Sequence, residues 1–100
     1  MTDVFFQKLK PADDIVESQL GDETVVLHLV SGTYYGLDEI ATRIWKALKT
    51  DVPLREICAE ISDDFGVSRV RVERDVEALV EQLLEQELIL AAEQDPDGAS

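Results

Sequence analysis

The sequence predicts an α+β domain: a three-stranded antiparallel meander followed by three helices, with a winged helix-turn-helix outline. Two observations lead to that class. Between Ile15 and Leu37, β-branched and apolar residues fall in short runs separated by tight-turn residues. After Leu37, apolar residues recur at helical spacing, and each run is bounded by capping residues.

Taken in order, residues 1–12 show no clear period and read as an N-terminal arm carrying adjacent Phe5 and Phe6. The domain proper spans 13–91, and residues 92–100 form a small, polar tail expected to fray. Ile15 to Leu20 makes a first strand. Gly21-Asp22 gives a turn, and Thr24 to Val30 is the strongest strand in the chain. Ser31-Gly32 gives a second tight turn, and Thr33 to Leu37 completes the meander. Asp38 is a good N-cap for a first helix with an apolar stripe at Ala41, Ile44, Trp45 and Leu48. Asp51 and Val52 break the pattern, and Pro53 suits the first turn of a second helix. The stripe of that helix is Leu54, Ile57, Cys58, Ile61 and Phe65, with Gly66 as its C-terminal cap. Ser68 caps a third helix running to about Gln86, with Val72, Val76, Leu79, Val80, Leu83 and Leu84 on its stripe. Leu88 to Leu90 adds a short extended piece.

At 100 residues the chain makes one domain, and its 45% hydrophobic content is ordinary for a globular protein. The longest apolar runs fall far short of a membrane span. One cysteine and no secretory leader point to a reducing cytoplasm. Nine Lys and Arg oppose 22 Asp and Glu, a net charge of −13. A polyanion is repelled by that balance, whereas a basic partner is attracted; solubility alone is the plainer account of the charge. Size leaves monomer and weak dimer both open.

Catalytic chemistry is not legible. His28 is the only histidine and lies in a strand, where a structural or exposed role is the ordinary one. Cys58 falls on an apolar stripe and behaves as a small hydrophobe. One Cys and one His fall short of a zinc site, and no phosphate-binding or calcium-binding loop is present, so neither enzyme activity nor a cofactor is expected.

The second and third helices, joined through Gly66-Val67, have the outline of a helix-turn-helix in which Arg69, Arg71 and Arg74 would meet DNA. Six acidic residues share the stretch from Ser68 to Glu87 with those three arginines, which opposes phosphate contact. A DNA-binding winged-helix regulator therefore stands as the alternative reading, and a plain oligomerisation module as a third. The last strand of the meander offers another kind of site. Thr33 to Leu37 is an open edge, the kind of surface to which an extended peptide adds as a further strand. Tyr34 and Tyr35 point to opposite faces; either both finish the core and hairpin rim, or one flanks a bound strand.

Ser31 to Leu48, S-G-T-Y-Y-G-L-D-E-I-A-T-R-I-W-K-A-L, resembles the PqqD family, whose members show an aromatic turn-strand-helix junction followed by Ile-Trp. Glu56 to Val67 and Asp75 to Ile89 resemble that family's second and third helices, and the likeness runs from about Pro11 to Ile89. Asp38 matches the family's Asn or Asp, whereas Pro53 stands where a Thr or Ser cap is common. The resemblance implies a recognition element for ribosomally made, modified peptides (a RiPP recognition element). Such a chaperone captures the leader of a precursor by strand addition and presents it to a modifying enzyme, such as a radical-SAM enzyme or a leader protease. Pyrroloquinoline quinone, lasso-peptide and other pathways all remain open. Carried over, the peptide-binding residues are Thr33, Tyr34, Tyr35 and Gly36 on the strand, faced by Arg71, Arg74, Asp75, Ala78, Leu79 and Gln82 on the third helix.

Overall fold

The computed structural model describes Phe5 and residues 8–91. The expectations for Phe6 and for the tail from residue 92 onward fall outside the described residues. The elements run β1 (Leu9–Pro11), β2 (Ile15–Leu20), β3 (Glu23–His28), β4 (Thr33–Leu37), α1 (Glu39–Lys49), α2 (Leu54–Phe65), α3 (Arg69–Glu85) and β5 (Ile89–Ala91). The expected meander and three helices are present, with β2, β3 and β4 antiparallel in that order.

A second, two-stranded sheet pairs β1 with β5. Part of the segment read as an arm is therefore strand, in register Leu9 with Ala91 and Pro11 with Ile89. Three residues are too few to show alternation, and their partner lies some eighty positions away in the chain. The pairing buries Leu9 and Ile89 and closes the base of the core. Phe5 is half-buried against the same core, with the Arg55 guanidinium 5.7 Å from its ring centre.

The hairpins follow their turn residues. Gly21 at φ 63° opens a two-residue loop between the paired ends Leu20 and Glu23. The next loop is longer than the expected two-residue turn, because β3 ends at His28 and Leu29 to Gly32 form it. Leu29 and Val30 are consequently exposed, and β-propensity there yields to loop closure. His28 is buried, and its Nδ1 accepts the Ser31 N–H at 3.4 Å, a structural role in that loop.

All three helices start and stop by local chemistry. Asp38 accepts the Ala41 N–H at 2.8 Å, and Ser68 accepts that of Arg71 at 3.3 Å. Pro53 sits at the N-cap, one position before the first turn of α2. At the far ends, left-handed residues Asp51, Gly66 and Glu87 follow α1, α2 and α3. In each case the next N–H returns to a carbonyl five residues back: Val52 to Ala47, Val67 to Ser62, and Leu88 to Leu83. Val52, Val67 and Leu88 pack on the core and pin the chain reversals.

The helix α1 is the centre of the molecule. Ile44 and Trp45 are fully buried, and the helix touches α2, β1, β3 and β4. Trp45 must find a partner for its indole N–H, and it donates to Glu17 Oε1 of β2 at 3.0 Å. Lys49 Nζ lies 2.7 Å from the other oxygen of the same carboxylate. Burial pushes the Glu17 carboxyl up, but the bonds from Lys49 and Trp45 and the charges of Lys49 and Lys46 outweigh it and hold the group below its usual value. On the other side, Thr42 donates to the Leu37 carbonyl at 3.2 Å, and the buried Thr24 hydroxyl lies 3.1 Å from Thr42 Oγ1. A hydroxyl carries one proton, so Thr24 is the donor to Thr42.

These contacts set two expectations. A depressed carboxyl stabilises the fold above its unfolded value of 4.5, and that contribution fades as pH falls through the lower folded value. Urea melts of Glu17→Gln should therefore show a flatter loss of stability below about pH 5 than the wild type. Glu87→Gly should raise the unfolding free energy read from a urea melt by about 1 kcal/mol, because glycine carries no left-handed penalty; a fall would mean that the cap is not limiting.

Candidate functional site

The direction of each backbone group on β4 follows from one bond. Leu29 donates to the Asp14 carbonyl at 2.8 Å, so Leu29, and by alternation Leu27 and Val25, direct their polar groups toward β2. His28, Val26 and Thr24 then face β4, where their partners are Thr33, Tyr35 and Leu37. Tyr34 and Gly36 are left with N–H and C=O directed away from the sheet. Among the described residues nothing pairs with that edge. The Tyr34 side chain stands on the outer face of the sheet, 69% exposed, while Tyr35 turns inward and is half-buried.

A cleft of about 470 Å³ runs between this edge and α3. One wall is Tyr35, Gly36 and Leu37. The opposite wall is a single face of α3: Asp75, Leu79, Gln82, Leu83 and Gln86, spaced at three, four and seven residues. Asp38, Ile40 and Ala41 at the start of α1 form the floor. The Asp38 carboxylate is already used as the helix cap.

The cleft continues into a smaller, more enclosed chamber of about 250 Å³ between α1, α2 and α3, and Ile40, Asp75 and Leu79 line both. Ile61, Phe65, Val67, Val72 and Val76 make its apolar wall, with Arg71 among them. Phe65 was expected in the core but is 42% exposed, because it is chamber wall. Its ring lies 5.9 Å under the Arg43 guanidinium, which bridges Asp64 at 2.8 Å and Glu60 at 3.7 Å. The wall is thereby tied to α1.

Of the residues singled out from sequence, Tyr35, Gly36, Asp75, Leu79 and Gln82 line the cleft together. Arg71 lines the adjoining chamber. Thr33 and Tyr34 share the strand but do not line either space. Ala78 and Arg74 are exposed on α3 outside both linings; at about 100° per residue, Arg74 points roughly 120° away from the cleft-facing line. Sequence reasoning passed over Ile40, Leu83, Gln86 and Phe65. Ile40 carried a usable signal, an apolar residue one position before the stripe of α1 that the core does not fully absorb.

The Cys58 thiol is not poised as a nucleophile. The Cys58 thiol is buried, and burial first, then the Glu73 charge, pushes it up to about 11 despite nearby Arg69 and Arg55. Arg69 is committed within the fold, 3.2 Å from Glu73 and donating to the Arg55 carbonyl at 3.3 Å. No described helix is long and apolar enough to cross a membrane.

A side chain added at Gly36 meets nothing within 4 Å. Gly36→Ala should therefore fold normally, with stability within about 0.5 kcal/mol of wild type by urea melt. A large loss would show that the outer face of the sheet is covered at that position.

The family model described as Coenzyme PQQ synthesis protein D (PqqD) matches residues 23–89. Two solved structures are similar over nearly their whole length. One, TbiB1 in complex with the TbiA(beta) leader peptide, is 36% identical with a TM-score of 0.76, and the match covers 85% of this chain and 99% of that one. The other, lasso peptide synthetase B1 complexed with the leader peptide, is 26% identical with a TM-score of 0.77, covering 83% and 98%. No curated protein matches the chain.

Proposed function

The chain belongs to the PqqD family, and from that membership we propose that it is a leader-peptide-binding adaptor of ribosomal peptide modification. The observation that carries this reading is the unpaired β4 edge, with the backbone groups of Tyr34 and Gly36 facing a cleft against α3. A leader segment adds there as a fourth strand, hydrogen-bonding to Tyr34 and Gly36. Thr33 and Tyr35 hold the strand that it joins. Leu79, Asp75 and Gln82 contact its cleft-facing side chains, and an apolar side chain enters the chamber beside Phe65. Arg71 closes one mouth, while Ala78 and Arg74 lie outside both linings, Arg74 pointing away from the cleft. That both similar structures are complexes with leader peptides supports the reading.

The adaptor works in the cytoplasm and delivers its bound precursor to a modifying enzyme, a radical-SAM enzyme or a leader protease according to the pathway. With a net charge of −13, self-association is opposed and a monomer is favoured. The DNA-binding alternative has no support: Arg69 is tied internally and acidic residues alternate with Arg71 and Arg74 along α3.

Two proline variants test the strand addition by titration with the leader of the precursor encoded beside this chain. Tyr34→Pro removes an outward N–H that the β3 ladder does not use, so the fold persists and leader affinity falls at least about tenfold, near 1.4 kcal/mol. Tyr35→Pro removes a ladder bond and costs about 1–3 kcal/mol of stability itself. Unchanged leader affinity in folded Tyr34→Pro, or no binding by wild type at high micromolar leader, would sink the proposal.

A further inference from the structure

The outer face of the meander is apolar and unpartnered. Val16, Leu27 and Tyr34 lie directly across the three strands from one another. Val25 flanks the row on β3, and Leu20 and Leu29 extend it toward the two ends of the sheet. Val16 is 52% exposed and Leu20 62%. No described element packs on this side; α1 lies against the opposite face, where Val26 and Leu37 are buried.

The charges that the meander and its own turns carry all have one sign. Between Lys10 and Arg43 there is no Lys or Arg. Asp13 and Asp14 stand at the Leu29 end of the sheet, Asp22 and Glu23 at the Leu20 end, and all four are exposed. An apolar patch that shares its face with Ser18 and with Glu23 opposite Leu20, and whose own strands and turns carry only anions, repels a second copy of itself and fits an apolar patch framed by cations. The face also ends at Tyr34, on the edge strand with outward backbone groups. A strand added there continues the face by one row, with alternate side chains turned to the same side.

We propose that this outer face is the docking surface for the enzyme that acts on the bound peptide, and that the enzyme's contact region is apolar with a basic rim. The inference rests on the adaptor reading above. The enzyme meets a surface made jointly of the sheet and the outward side chains of the added strand, so it engages the loaded adaptor more tightly than the empty one.

The test uses the intact chain and the purified enzyme that acts on the same precursor, with chain–enzyme binding and leader binding measured separately. Val16→Asp should weaken enzyme binding at least tenfold and leave leader affinity within twofold. Because Val16 is half-exposed, the fold should persist; its circular dichroism spectrum checks this. Asp13→Lys combined with Asp22→Lys, both in exposed loops, should weaken enzyme binding several-fold and reduce its salt dependence. Saturating leader should tighten enzyme binding to wild type. Enzyme binding unchanged in both variants overturns the proposal. So does a wild-type dimer in sedimentation that Val16→Asp dissolves, since the occupant would then be a second copy. Absent leader binding with intact, Val16-dependent enzyme binding would instead overturn the adaptor reading and leave the docking face standing.

Discussion

The structure depends on the burial of the inner face of α1, which carries Ala41, Thr42, Ile44, Trp45, Ala47 and Leu48. Ile44 and Trp45 have no access to solvent, and the helix that carries them is walled by the sheet on one side and by α2 and β1 on others. An indole buried this way must satisfy its N–H, and the acceptor is a carboxylate from β2. Glu17 can serve because it lies on the same face of the meander as Val26 and Tyr35, its cross-strand neighbours in one row. Lys49 then compensates the charge. One cross-link therefore fixes the angle between sheet and helix, and the Thr24–Thr42–Leu37 bonds fix it again at the other end of α1.

The cleft follows from that placement. The Thr42 bond to the Leu37 carbonyl holds the last residue of β4 directly over the start of α1. The reversal at Gly66 sends α3 back past the same end, and β5 ties the far end of α3 to β1. The two walls are thus anchored independently of each other. β4 and α3 need no contact with each other to be held in place, and the gap between them remains open. Apolar residues that would normally complete a core, Ile40, Leu79 and Phe65, are left lining it. Their partial exposure is the physical sign that the domain is built to be completed by something else.

The meander illustrates how one sheet can offer two surfaces. Its β4 edge presents unpaired backbone groups, the kind of surface that an extended chain can join. Its outer face presents apolar side chains with carboxylates at its two ends. The inner face is used up by α1. Because the residue period of a strand is two, Tyr34 belongs to both free surfaces at once, through its backbone to the edge and through its side chain to the face.

The elements and their caps were legible in the chain because they depend on neighbours a few positions apart. Asp38, Ser68, Gly66 and the stripes of α1 and α3 needed no tertiary information. Tyr35, Gly36, Asp75, Leu79 and Gln82 were found because family resemblance supplied the pairing of β4 with α3, while Arg74 and Ala78 required a helix rotation that spacing leaves undetermined within about one position. Leu88 to Leu90 was legible as an extended piece, but β1 and its pairing with β5 were not, since three-residue strands far apart in the chain show no period. Left-handed Asp51 and Glu87 were equally hidden, because neither is the glycine that such caps favour. By itself, then, the sequence determined the order of the meander and the three helices, the helix ends and the negative charge, all set by local propensity and composition. Only the tertiary structure decided which backbone groups face outward, how far Phe65 and Ile40 leave the core, and that β4 and α3 stand apart, because these depend on where α1 is buried between elements distant in the chain.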